Sequence, residues 1–554
     1  MCGIICLIQR EHNQDFNKIF EGCEYLIKNR GPDSYQTLEY ICSKTSCNLK
    51  LGASVLWLQG KSLTKQPLEN ESSIFVYNGD VFGSETIQDN LRESNGDTEL
   101  FQKALDGNDG NIKKFLKGIR GPFAFIYLNK QKSKLYFARD IYGRRSLLLG
   151  CSDGGDILLS SCVTKNSCNF IELPAIGIFS YDLQSNQLEL VPWDIRNNNF
   201  SMKIQEVKRC LGEIDLIVKD ENVKTLQLDF TEPNLGILKN LSKEEIFETL
   251  LKDEIWGGNV KKLSDLLHFS VLRRIKNQPK YCKKCFLNLG SCKDCRVGVL
   301  FSGGLDCTIL ALIVDEYLDE SSPIDLLNVA FENPGGFDTP DRLTGRESWM
   351  ELKELRPERV WNFVEINVDL EELNEARDSH VKHLIYPLNT VLDDSLGCAL
   401  WFASKGMGDG YISTSRVLIV GMGADELFGG YTRHRAALNK GGWQRLTEVL
   451  QEDWQNISHR NLARDDRVVS DHGRQLRTPY LDEDLVEFVL GLPAWQKTYP
   501  SDCLPQGIGE KILLRSLAYR MGLRRATNYK KRALQFGSRI ANKKENAHEI
   551  SPRL

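Results

Sequence analysis

Short runs of apolar residues, alternating with polar ones or standing together and cut by Gly, Asn and Asp, fill the first 190 positions. Ile74-Phe75-Val76-Tyr77, Phe123-Ala124-Phe125-Ile126-Tyr127 and Lys134-Leu135-Tyr136-Phe137 read as strands. The stretch therefore predicts a β-rich domain. Between about 195 and 242 the pattern fades into polar segments such as Arg196-Asn197-Asn198-Asn199, which read as a connector. From 243 to 276 the apolar positions Ile246, Leu250, Leu251, Leu263, Leu266 and Leu267 fall at helical spacing. Strand and helix patterns then alternate: Val297–Phe301, a helix over 305–318, Leu326–Phe331, a helix near 345–355, Trp361–Ile366 and Val417–Val420. Such alternation predicts a parallel sheet with helices on both faces and ligands at the carboxyl ends of its strands. The expected division is a first domain over 2–190, a connector with helices over 191–265, a second domain over 266–541 and a tail over 542–554.

The chain of 554 residues is too long for one ordinary core, which agrees with two large units. No run of about eighteen apolar residues offers a membrane span. The amino terminus lacks the basic start and apolar middle of a secretory signal. Sixteen cysteines scattered through such a chain favour free thiols, hence a soluble cytoplasmic protein. A net charge of −4 leaves no broad footprint for nucleic acid, so anion sites must be local. Composition assigns no oligomeric state.

Cys2 becomes the first residue once Met1 is trimmed, and its thiol then carries its own base. A free α-amine has a pKa near 8, so part of it is neutral at pH 7 and takes the thiol proton. Arg30-Gly31-Pro32-Asp33-Ser34, Tyr77-Asn78-Gly79-Asp80, Gly96-Asp97-Thr98-Glu99, Phe137-Ala138-Arg139-Asp140 and Tyr142-Gly143-Arg144-Arg145 follow in order. Together these resemble the class-II glutamine amidotransferases. The resemblance implies an α+β N-terminal nucleophile hydrolase sandwich, two β-sheets between helices. It further implies Cys2 as nucleophile, Asn78 and Gly79 as oxyanion donors that also touch glutamine, and Asp97 as the group holding the glutamine amine. Val55, eleven residues before Gln66, stands where the family carries an arginine for the glutamine carboxylate.

After the strand ending at Phe301 comes Ser302-Gly303-Gly304-Leu305-Asp306-Cys307 and then a helix. Two glycines, inward-pointing N–H groups and a helix start make an anion nest for phosphate. The lysine of the Walker pattern is missing. The block resembles the pyrophosphatase loop of enzymes that adenylate a carboxylate, with Cys307 in place of the usual serine. Gly421-Met422-Gly423-Ala424-Asp425-Glu426-Leu427-Phe428-Gly429-Gly430-Tyr431 resembles a segment of asparagine synthetase, with Met422 where that family has a glutamate. The resemblance implies an α/β parallel-sheet ATP-pyrophosphatase domain. Its expected ATP contacts are Leu300, Ser302, Gly303, Gly304, Asp306, Cys307, Val329, Gly423, Asp425 and Lys511, with Asp306 and Asp425 holding Mg²⁺. The run Lys530-Lys531-Arg532 reads either as a pyrophosphate cap or as a solvated surface.

Ile324–Phe331, Pro340–Arg346, Trp361–Val368, Thr390–Ser395 and Asn461–Arg467 are close to the asparagine synthetase domain-containing protein family. That resemblance implies asparagine formation from aspartate, ATP and glutamine through a β-aspartyl-AMP. Two alternatives stay open, a nucleotide-binding scaffold without turnover and adenylation of another acceptor. Separately, the pairs Cys282/Cys285 and Cys292/Cys295 have the spacing of half-sites for structural Zn²⁺, against free thiols in a loop.

Overall fold

The computed structural model describes residues 2–10, 14–45, 47–84, 96–108, 111–165, 168–194, 199–219, 230–231, 238, 240–276, 278, 281–285, 294–408, 410–502, 504–505, 507–541 and 545–554. Its amino-terminal part packs two sheets face to face. A six-stranded antiparallel sheet runs in the order Phe170–Glu172, Leu148–Cys151, Ile157–Ser160, Gly3–Gln9, Asn48–Val55, Ser34–Ile41. A seven-stranded sheet runs Asp215–Val218, Gln187–Pro192, Gly177–Asp182, Lys134–Arg139, Phe123–Asn129, Ser73–Gly79, Leu68–Glu69.

Alternation decides which residues meet. Ile4, Cys6 and Ile8 of one sheet face Val76, Ile126 and Phe137 of the other, while Ile5 and Leu7 point outward. The outward face is covered by the helix Gln14–Arg30, whose Phe16, Ile19, Phe20, Cys23, Leu26 and Ile27 recur at helical spacing. On the far side, Phe75, Tyr77, Phe125 and Tyr127 are covered by Phe101 and Leu105 of Asp97–Gly107 and Phe115 of Ile112–Lys117. These are the expected four layers. The connector contains the helix Phe200–Leu211, and within it Asp215–Val218 pairs parallel to Gln187–Pro192, so the sheet continues past residue 190.

The second part is built on five parallel strands in the order Trp361–Val368, Ile324–Phe331, Val297–Leu300, Val417–Ile419, Gln475–Arg477. The chain leaves Val297–Leu300 toward one side and later returns on the other. The strand order thus reverses beside that strand, and a crevice opens at its carboxyl end. Leu305–Tyr317 follows at once; it is buried on nearly every face, which suits the unbroken apolar run Ile309–Val314 at its centre. The strand Gln475–Arg477 escaped the sequence reading because it is three residues long and ends in arginine.

One hydrophobic core crosses between the two parts. Ile5, Leu7 and Phe20 belong to the same buried cluster as Leu300, Val329, Leu418 and Val468. Charged groups close the rest of the seam. Arg30 meets Asp466 at 2.8 Å, Asp466 meets Arg145 at 3.2 Å, and Arg145 meets Asp80 at 3.0 Å. Asp80 also accepts from Gln475 at 2.6 Å and Arg477 at 3.4 Å. Arg416 pairs with Asp33, and Arg467 with Glu172. Among the described residues, no helix is long and apolar enough to cross a membrane.

Candidate active sites

Cys2 lies at the start of the central strand Gly3–Gln9, with only 8% of its surface exposed. Its backbone N–H donates to Asn78 Oδ1 at 3.2 Å, and its carbonyl accepts from Arg30 Nε at 3.3 Å. Gln66 is fixed by its Oε1, which accepts from Tyr77 N at 2.7 Å, and places Nε2 3.7 Å from Cys2 Sγ. Gly3 is required: a Cβ there would come within 2.7 Å of the Ile27 carbonyl oxygen.

Asn78 and Gly79 end the strand Ser73–Gly79 of the facing sheet. Asn78 Nδ2 is buried and lacks a hydrogen-bond partner among the described residues, as an amide kept for an incoming oxyanion would be. Asp97 opens the helix Asp97–Gly107 and accepts from Val81 N at 2.9 Å. Burial, then the neighbouring Asp80, raises its pKa to about 7. Burial also raises the Cys2 thiol, so this cysteine needs a base to ionise. Cys2, Asn78, Gly79 and Asp97 thus meet in one place. Val55 is buried at the wall of the same pocket.

The second site fills the crevice at the strand reversal, a cavity of about 420 Å³. One wall is apolar: Leu300, Leu327, Val329, Leu400, Ala403 and Val420. The floor is the turn after Leu300. Gly303 has φ 77°, and a Cβ there would lie 2.5 Å from Gly345 Cα and N, so the turn tolerates only glycine. Asp306 and Asp425 face each other across Lys511, whose Nζ lies 2.7 Å from Asp306 Oδ2 and 2.6 Å from Asp425 Oδ1. Lys531 pairs with the other oxygen of Asp425, and the two cations hold that carboxyl well below the usual range despite its burial. Gly430 makes this approach possible, since a Cβ would come within 2.0 Å of Asp425 Oδ1 and 2.2 Å of Lys511 Cε. Two carboxylates beside a phosphate-sized nest are the hard oxygen donors that Mg²⁺ favours.

A smaller cavity of about 110 Å³ opens beyond the glycine turn, lined by Ser302, Gly304, Lys511, Arg515, Lys530 and Lys531. The sequence reading missed Arg515, held by carbonyls of Glu510, Thr527 and Tyr529, because a lone arginine within a helix carries no motif. It also missed Asp341. Buried at the rim, Asp341 has its pKa raised to about 6 by burial, against the opposing pull of Arg532 at 3.3 Å. Cys307 turns its Sγ to the Gly304 carbonyl at 3.3 Å. Gly423 lines the crevice with φ 90°. Met422, half-buried, packs against Ile457, Leu462 and Leu481 on one side and lines the crevice on the other, where its thioether can neither accept a proton nor carry charge. A buried acid at this end of the cavity is Glu426, which accepts from Tyr431 Oη at 2.6 Å and Asn461 Nδ2 at 3.3 Å.

The cysteine cluster is described only in part. Cys282 N donates to Cys285 Sγ at 3.2 Å, Cys295 Sγ donates to the Val297 carbonyl at 3.1 Å, and Cys292 lies outside the described residues.

Residues 1–169 match the family model of the glutamine amidotransferase domain, and residues 292–442 and 438–549 match that of asparagine synthase. The asparagine synthetase domain-containing protein of Drosophila melanogaster is 37% identical over all of both chains. Asparagine synthetase domain-containing protein 1 of Homo sapiens is 35% identical over 98% of this chain and 95% of its own. The Saccharomyces cerevisiae relative is 30% identical over 95% of this chain and 89% of its own. Fold and matched models define a glutamine amidotransferase sandwich joined to an asparagine synthase-like domain. The chain belongs to the asparagine synthetase domain-containing protein family.

Proposed function

We propose that the protein is an ATP-dependent amidotransferase of the asparagine synthetase type, which amidates aspartate with ammonia taken from the side-chain amide of glutamine. The arrangement that carries the reading is the pairing of Asp306 with Asp425 across Lys511, beside a glycine nest and a cation-lined cavity of pyrophosphate size.

In the first half-reaction the α-amine exposed by loss of Met1 takes the Cys2 proton. That nitrogen is the one now donating to Asn78 Oδ1, so the side chain already orients it. Sγ attacks the amide carbon, Asn78 Nδ2 and Gly79 N–H receive the oxyanion, and Asp97 holds the substrate amine. In the second, the apolar wall takes the adenine and the glycine turn takes the phosphates. Lys511, Arg515 and Lys531 neutralise charge on departing pyrophosphate, leaving the acceptor as an acyl adenylate. Bound Mg²⁺, held by Asp306 and Asp425, supplies charge neutralisation for the phosphates. Ammonia then displaces AMP. A cytoplasmic setting and small-molecule substrates belong to the same reading.

Met422 in its apolar cluster favours a second reading, a nucleotide-binding member of the family without turnover. Pyrophosphate release from ATP and Mg²⁺ separates the two. The expected outcome is release that depends on aspartate, with an amide donor or with ammonium. Tight ATP binding without pyrophosphate under any of these conditions would favour the second reading.

A further inference from the structure

We infer that the Cys2 pocket takes a glutamine whose α-amine is free but whose α-carboxyl is already tied up in an amide, as at the amino terminus of a peptide, given that Cys2 is the amidase nucleophile proposed above. The pocket is small, about 40 Å³, and its lining includes Cys2, Val55, Trp57, Thr64, Tyr77 and Asp97. Two buried carboxylates border it, and they are not alike. Asp80 is matched by Arg145 and Arg477 and by the Gln59 and Gln475 amides. Among the described residues, Asp97 is held by Val81 N, by its own backbone N–H and, at 3.4 Å, by Thr98 Oγ1, none of them a cation. Among the described residues no cation touches Asp97, Arg477 acting on it only at longer range, and the α-ammonium of a ligand supplies one.

The opposite charge of free glutamine finds no such match. Among the described residues lining the pocket none carries positive charge, and Val55 presents two methyl groups. Arg145 lies behind Asp80 and is committed to it and to Asp466. The polar atoms left to a ligand are neutral. With Asn78 Nδ2 kept for the oxyanion, Tyr77 Oη and Thr64 Oγ1 are buried without hydrogen-bond partners among the described residues, and Tyr77 is 1% exposed. Such donors suit the carbonyl of a peptide bond. An α-carboxylate placed here would be desolvated beside Asp97 and Asp80 with no counter-ion among the described residues of the lining, a heavy cost in an enclosed site.

The step balances without any further reagent. Sγ adds to the side-chain amide carbon and the C–N bond breaks. Ammonia leaves with the proton that the Cys2 thiol gave to the α-amine. Water then cleaves the thioester, giving a γ-carboxylate and the free thiol.

The test compares glutaminyl-glycine with glutamine on the full chain, after mass spectrometry shows Met1 removed, with Cys2→Ala as control. Glutamyl-glycine and glutamate are measured by mass alongside ammonia. A missing charge-assisted contact is worth about 10- to 150-fold, so kcat/KM for the dipeptide should exceed that for glutamine at least tenfold. The Val55→Arg variant should narrow or reverse that ratio. Equal or better use of glutamine by the unaltered chain overturns the inference and leaves Cys2 as a glutaminase nucleophile. No product from either compound overturns both.

Discussion

Asp97 shows how one side chain ties chemistry to pH. Its folded-state pKa of about 7 lies above the ordinary carboxyl value because burial and Asp80 disfavour the charge. As an amine-holding group it works as the anion, so kcat/KM for amide hydrolysis should fall as pH drops below about 7. The same shift acts on stability with the opposite preference. The unfolded carboxyl ionises near pH 4 and the folded one near 7, so the folded state loses stability between those values and recovers none above them. Asp97→Asn should therefore raise the melting temperature relative to the unaltered chain at pH 8, and hardly change it below pH 4. Thermal melts across that range check the sign. At the second site, Asp306→Asn should cut pyrophosphate release by 100-fold or more while leaving amide hydrolysis intact, read in parallel assays of one preparation.

Among elements, the turn that follows Val297–Leu300 is the least tolerant. Gly303→Ala would force a Cβ against Gly345 at a φ of 77°, costing about 1–3 kcal/mol locally. It should abolish ATP binding by calorimetry before it unfolds the chain. The seam between the sandwich and the parallel sheet is the other sensitive place. Asp466→Ala would leave Arg30 and Arg145, both fully or nearly fully buried, without their shared carboxylate. Breaking such a pair costs about 3–5 kcal/mol, measurable by urea unfolding.

Much of this was legible beforehand, and what was not has a physical reason. Strands such as Ile74–Tyr77 and Val297–Phe301 announce themselves by apolar runs between turn residues, and Cys2, Asn78 and Asp306 by motif. The partners of those motif residues lie hundreds of positions away: Arg30 and Asp466 are separated by 436 residues and Asp80 and Arg477 by 397. No local pattern encodes such pairs, so arginines that read as marks of the amidase turned out to clamp it to its neighbour. Asp215–Val218 was hidden for a related reason. It is an edge strand with two exposed side chains, and its pairing with Gln187–Pro192 is what makes it a strand.

For the whole molecule, the shared cluster joining Ile5, Phe20, Val329 and Leu418 predicts that the two parts do not melt separately. Calorimetry should record a single transition, shifted upward as one by saturating ATP and Mg²⁺. Two resolved transitions, with only the later one moved by nucleotide, would contradict it.

A molecule fused in this way has a further property. Should either reaction be lost in the course of descent, the half that performed it would still be needed as masonry for the other, and selection would go on keeping its interior in repair. Substitutions such as Val55 and Met422 can then accumulate inside a scaffold that remains sound around them. The walls therefore stay sound whichever reaction persists, and a separate assay of each half tells which one does.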